Sequence, residues 1–105
     1  MYVAMNRFQV VKGEERAFEE VWLGRDIYLN DVSGFIEFHL VRGPADDAHT
    51  LYATHTIWAS ETAFRDWTRS DAFRAAHKNA GDHKHLYAGP PVFEGFEVLQ
   101  TVKPS

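Results

Sequence analysis

Cysteine is absent from the 105 residues. That excludes disulfide frameworks, thiolate metal sites and cysteine nucleophiles together, and makes a cytoplasmic setting the expectation. Long apolar runs are also missing. None approaches the roughly 20 residues that span a bilayer, and an alternating strand begins at Tyr2 where an export signal would place a charged and then an apolar stretch. A soluble chain with no membrane partner is expected. Excess basic charge is lacking too: eleven Lys and Arg, scattered along the chain, stand against fifteen Asp and Glu, a net charge of -4, so no nucleic-acid partner is expected. There is no internal repeat and no low-complexity segment. A composition of 45% hydrophobic and 25% charged residues is that of an ordinary globular protein, and the length suits one domain over residues 1–105. Aromatic residues, at 14%, and six histidines are the enrichments. They suggest a large or flat apolar contact.

Residues 2–10 alternate, with Tyr2, Ala4, Phe8 and Val10 on one face and Val3, Met5, Arg7 and Gln9 on the other, a first strand. Asn6 falls on the more apolar face, where an amide needs a partner. From Glu14, the spacing of Phe18, Val21, Trp22 and Arg25 predicts a helix, acidic in its first turn as the helix dipole favours. Arg25 shares the core-facing stripe, so its guanidinium calls for an anion. A turn at Ser33-Gly34 leads into strands at 35–41 and 51–58, an antiparallel hairpin closed by the Gly43-Pro44 loop. Ser60 is an N-cap for a helix bearing Phe64 and Trp67, and Ser70 a second N-cap opening further turns through His77, so the helix is expected to break near Ser70. Residues 79–91 read as a long polar loop, and 92–102 as a fourth strand. The order β-α-β-β-α-β is that of a ferredoxin-like α+β fold. Two helices cover one face of such a sheet. The other, carrying Val3 and Met5 or Leu51, Ala53 and Ile57 according to register, is expected to pack on a second copy as a homodimer.

Asn6, Trp67 and His77 carry the chemistry. On one unbroken helix Trp67 and His77 would stand about 15 Å apart along the axis; a break at Ser70 brings both to one pocket. A ligand touching both is flat and large, the small Ala75 and Ala76 let it approach, and a neutral imidazole can hold a metal at its centre. A porphyrin has those properties. Each residue alone also has a plainer role: His77 as a helix C-terminal cap, Trp67 as core, Asn6 as a loop hydrogen-bond partner. His39 and His55, on strands, read as structural.

Taken together, Phe64-x-x-Trp67-x-x-Ser70-x-x-Phe73-x-x-Ala76-His77, an Asn in the first strand, Gly34-Phe35 and Trp58-x-Ser60 resemble the IsdG-type haem-degrading monooxygenases. These are a branch of the antibiotic-biosynthesis-monooxygenase group of dimeric α+β barrels. The resemblance implies that His77 is the proximal ligand of the haem iron, that Trp67 presses on the porphyrin and ruffles it, and that Asn6 is the distal amide. It makes Asn6, Trp67 and His77 catalytic, and Asn6, Arg25, Phe64, Trp67, Phe73, Ala76 and His77 the haem-binding set. Haem is then substrate and cofactor. Dioxygen and electrons from an external donor, a reductase, open the ring at a meso carbon, releasing iron and a bilin such as biliverdin, with iron acquisition as the purpose. His83 and His85, beside Lys78 and Lys84, would lie near the haem edge, facing the propionates or a reductase, or simply solvent. Two other readings stand beside this one: a cofactor-free monooxygenase or isomerase of an aromatic small molecule, in which His77 does acid–base work, and a haem carrier without turnover.

Overall fold

A computed structural model describes every residue except 26, 78 and 79; the side chains of 80–82 are likewise outside the described part. In chain order the elements are β1 (Tyr2–Val11), α1 (Glu15–Gly24), β2 (Phe35–Ala45), β3 (His49–Trp58), α2 (Glu61–Thr68), α3 (Asp71–His77), a 3₁₀ segment (Ala80–Leu86) and β4 (Val92–Glu97). The sheet order is β2-β3-β1-β4 with every pairing antiparallel, the ferredoxin-like α+β arrangement that the element order implies.

Register places Asn6 opposite Thr54 on β3 and Phe93 on β4. The face shared with Tyr2, Ala4, Phe8 and Val10 carries the helices, and its residues divide into two apolar clusters. Phe8, Val10, Phe18, Tyr52 and Leu86 pack under α1; Tyr2, Ala4, Leu29 and Trp58 pack under α2 with Phe64 and Trp67. Asn6 lies between Ala4 and Phe8, at the seam between these clusters. A polar residue there interrupts the apolar row, and the space between the helices opens above it.

Two carboxylates hold α1 to the sheet. Thr50 Oγ1 donates to Glu15 Oε2 at 2.7 Å, and the Tyr52 phenol donates to Glu19 Oε2. The spacings match: four residues of helix advance about 6 Å and two of strand about 6.8 Å. Burial, with the Glu19 carboxylate beside it, pushes the Tyr52 phenol up to about 12. The Thr50 hydrogen bond, aided by the Gly13 amide, holds Glu15 below its ordinary value of 4.5. A lowered carboxylate pKa contributes stability that is present above the unfolded value and lost as pH falls through the folded one. In Thr50→Val the stability gap to the parent should therefore be full at neutral pH and narrow below about pH 4.5. Urea midpoints across that range check this, and a gap independent of pH would remove Glu15 as its cause.

Both predicted serine caps form. Ser60 Oγ accepts from Ala63 N at 3.1 Å and Ser70 Oγ from Phe73 N at 3.1 Å, so the second helical stretch is two helices with a break at Ser70. Gly34, at φ +83°, brings the start of β2 against α2; a Cβ there would stand 2.4 Å from Ala63 Cβ.

Four expectations need correction. β2 runs on to Ala45, so Gly43 and Pro44 lie in the strand and the hairpin turns over residues 46–48. The fourth strand ends at Glu97, not 102, because Tyr2 pairs with Glu97 and Val98 N reaches Met1 O, after which β1 offers nothing more to pair with. Residues 98–105 run on without regular structure, leaving Leu99 and Val102 exposed. The 79–91 stretch is not simply a polar loop. Its described part forms the 3₁₀ segment, buries Leu86 in the core, and is tied to β1 by a Val10–Tyr87 bridge and by Ala88 N donating to Gln9 O at 2.7 Å. Lys78 lies outside the described residues. Arg25, expected on the helical stripe, follows the end of α1 in extended conformation.

Val3, Met5, Ala53, His55 and Ile57 share the open face of the sheet through the pairings Val3–Ile57, Met5–His55 and Arg7–Ala53. Val41, Val92 and Phe96 add exposed apolar area to it. His39 and His55 are cross-strand neighbours there, with ring centroids 5.8 Å apart. Among the described residues no helix is long and apolar enough to cross a membrane.

Candidate functional site

Two cavities occupy the seam. The larger, about 1000 Å³, is walled by α1, the middle of β1 and the chain from α3 to β4; it is lined by Asn6, Phe8, Trp22, Arg25, Ala76, His77 and Tyr87 among others. This is at the upper end of small-molecule sites and is predominantly apolar. The smaller, about 60 Å³, lies behind it and is lined by Thr54, Thr56, Phe64, Trp67, Asn6 and His77. Asn6, Trp22, Arg25, Ala76 and His77 border both.

The break at Ser70 folds α3 back so that the Trp67 and His77 ring centroids are 6.2 Å apart, close enough for one ligand to touch both. His77 is further fixed by Phe73, whose ring stacks on it at 4.1 Å and meets Trp67 edge-on at 4.9 Å. His77 Nδ1 is 2.8 Å from Phe73 O. A carbonyl only accepts, so Nδ1 carries the proton, and in the neutral imidazole it is Nε2 that has the lone pair. A neutral imidazole oriented in this way through its other nitrogen is the arrangement in which histidine ligates a metal. Among the described residues no group of three or more His, Asp or Glu could hold a metal ion.

Asn6 borders both cavities, and among the described residues its side chain makes no hydrogen bond to the protein. Among the described residues the indole N–H groups of Trp22 and Trp67, two residues that also border the small cavity, are buried without a partner; a buried donor left so costs on the order of 1–3 kcal/mol. Phe64 lines the small cavity, stacked on Phe93 at 5.4 Å, while Phe73 reaches the site only through His77 and Trp67. His83 and Lys84 line the mouth of the large cavity, whereas His85 is exposed. Among the described residues Arg25 meets no carboxylate: its guanidinium donates to Ala76 O and lies 4.6 Å over the Trp22 ring.

Sequence reading assigned Trp22 to the core stripe and passed over Tyr28 and Tyr87 as site residues. All three line the large cavity. Tyr28, at φ +56°, is a non-glycine residue in the left-handed region and a signal no sequence pattern carries.

A ferredoxin-like sheet with a ligand-sized, mainly apolar cavity bordered by an imidazole and an amide is built to take a small molecule. Residues 1–79 match the family described as Antibiotic biosynthesis monooxygenase. The chain belongs to that family, and Asn6, Trp67 and His77 all fall within the matched stretch. It is 30% identical over 78 residues, 74% of this chain and 72% of the relative, to the heme oxygenase (staphylobilin-producing) 1 of Staphylococcus aureus strain Newman. Its structure is similar to that of the heme-degrader MhuD from Mycobacterium tuberculosis with two hemes bound in its active site, at TM-score 0.76 and 26% identity, covering 98% of this chain and all of that one. It is also similar to the monooxygenase of ActVA-Orf6 from Streptomyces coelicolor in complex with nanaomycin D, at TM-score 0.74 and 23% identity, covering 99% and 92%.

Proposed function

We propose that the chain is a haem-degrading monooxygenase. One observation carries the reading: His77, on the wall of a cavity of about 1000 Å³, is held as the Nδ1-protonated tautomer by Phe73 O, with Nε2 left to ligate iron. The heme oxygenase and heme-degrader relatives support it. Haem, when bound, supplies the site for dioxygen and electron chemistry, and its own ring is what is consumed. The chain's residues hold and shape it. His77 ligates the iron, with Phe73 fixing the imidazole plane. Trp67 presses on the macrocycle from behind Asn6 and His77, and Phe64 and Ala76 bound its edge. Asn6 offers an amide N–H at the face away from His77, and the apolar walls keep bulk water from the reacting carbon. His83 and Lys84 at the mouth suit carboxylate substituents of the ring. Electrons come from an external reductase, and a bilin such as biliverdin leaves with the iron. The open sheet face takes a second copy of the chain, sheet on sheet, completing a dimeric α+β barrel; a monomer in sedimentation equilibrium would remove the dimer alone.

Titrating the purified chain with haem should give a saturable Soret band of a histidine-ligated ferric haem, and adding a reductant in air with catalase present should bleach that band as bilin absorbance grows. A Soret band that survives reduction would make the chain a carrier. No uptake of iron porphyrin, with uptake of a polycyclic quinone instead, would make it a cofactor-free oxygenase, a reading favoured by the nanaomycin D complex of a structural relative.

A further inference from the structure

Arg25 occupies a place that neither its sequence pattern nor the proposed reaction explains. The chain leaves α1 at this residue with φ −96° and ψ 151°, which turns the side chain across the seam. There the guanidinium lies 4.6 Å over the Trp22 ring, and Trp22 is itself stacked on Phe38 at 6.3 Å with an 18° tilt. Thus backed, Arg25 donates through Nη2 to Ala76 O, one residue before His77.

The physics of a helix end makes this contact consequential. The last four carbonyls of a helix have no intrahelical donor and carry the negative end of its dipole. α3 is only seven residues long, and His77 is its last. A cation fixed on α1 that takes the Ala76 carbonyl satisfies one of those orphans and anchors the turn from which His77 projects. The Phe73 carbonyl in that same turn sets the imidazole tautomer, so both carbonyl directions that matter to His77 depend on the turn holding its shape. Arg25 also stands in the wall between the two cavities, beside Asn6, Trp22, Ala76 and His77.

We infer that Arg25 is a positioning residue, clamping the C-terminal turn of α3 from α1 and thereby setting the orientation and tautomer of His77. As regards iron, the inference rests on the haem reading above; as regards the imidazole, it does not.

The experiment compares the parent with Arg25→Met, which keeps an apolar stem over Trp22 but removes the donor, and with Arg25→Lys, which restores one. In the unliganded proteins, imidazole ¹⁵N shifts should show His77 as a single Nδ1-protonated tautomer in the parent and in Arg25→Lys, and as a mixture in Arg25→Met. With ferrous haem, the iron–histidine stretching band should shift and broaden in Arg25→Met, with affinity for haem falling about tenfold, as for loss of a partner that orients a metal ligand, and both should return in Arg25→Lys. A folded Arg25→Met with one tautomer and an unchanged iron–histidine band overturns the inference. If Arg25→Met does not fold, Arg25→Leu, which likewise has no donor, is read in the same two ways. If the parent takes up no haem, the haem reading falls while the tautomer comparison still decides the role of Arg25.

Discussion

Replacing His77 with alanine should abolish the histidine-ligated ferric spectrum and lower turnover of haem by more than about 100-fold, beyond the 10–100-fold typical of losing a residue that merely orients a ligand. The size of the effect follows from what the site holds. There is no cysteine, and the chain has two methionines, of which Met5 points to the opposite face of the sheet from Asn6. His83 is the other imidazole on the wall of the large cavity, so His77→Ala with and without His83→Ala separates loss of the proximal ligand from substitution by a neighbour. The substitution should fold well, since His77 is exposed at the end of a short helix and its ring contacts are to Phe73 and Trp67. Parental turnover in His77→Ala, with haem still bound, would mean that the iron is held elsewhere.

The fold was readable because its strands alternate and its helices are punctuated. Tyr2, Ala4, Phe8 and Val10 all reach the helix-covered face, and the serine caps at 60 and 70 stand where the chain turns. Elements whose ends depend on a distant partner were less legible. The length of β4 is set by where β1 begins, which nothing in Val92–Val102 encodes, and the 3₁₀ segment is held by Leu86 and Tyr87 docking on β1 and α1 across the sheet. One apolar residue inside a polar run has no period, so its burial becomes visible only in three dimensions.

The site divides in the same way. Asn6, Trp67 and His77 were identifiable as a set, and the break at Ser70 that unites them follows from a local cap. The shape of the space they border was not. Trp67 faces the small cavity, while Asn6 and His77 border both, as do Trp22, Arg25 and Ala76. Helical spacing placed Trp22 on an inward stripe, whereas Arg25 leaves that stripe in extended conformation past the end of α1. It could not tell packed core from cavity wall, because both demand apolar or stacked surface; nor could it show that Arg25, for which an anion was expected, donates instead to a neutral helix-end carbonyl 51 residues away.

Asn6→Ala should part affinity from reaction: haem binding within about threefold of the parent, and turnover down about 100-fold, the loss typical of removing one preorganised donor at a site of developing charge. Asn6 owes its position to β1, where it is paired between β3 and β4, so its Cα cannot drift when the side chain is cut back. The amide makes no hydrogen bond to the protein among the described residues, so its removal leaves no orphaned partner and little cost in stability. What is lost is an amide donor on a cavity that His77 also lines. Asn6→Asp sharpens the test, since it keeps size and an oxygen acceptor but removes the N–H; if the N–H is what matters, aspartate should be as poor as alanine, and Gln should recover part of the rate. Single-turnover bleaching of the Soret band in the three variants reads this directly. Equal rates in parent and Asn6→Ala would leave the amide as a seam residue only, and would move the distal role to the indole N–H groups of Trp22 and Trp67, the unpartnered donors on the same wall.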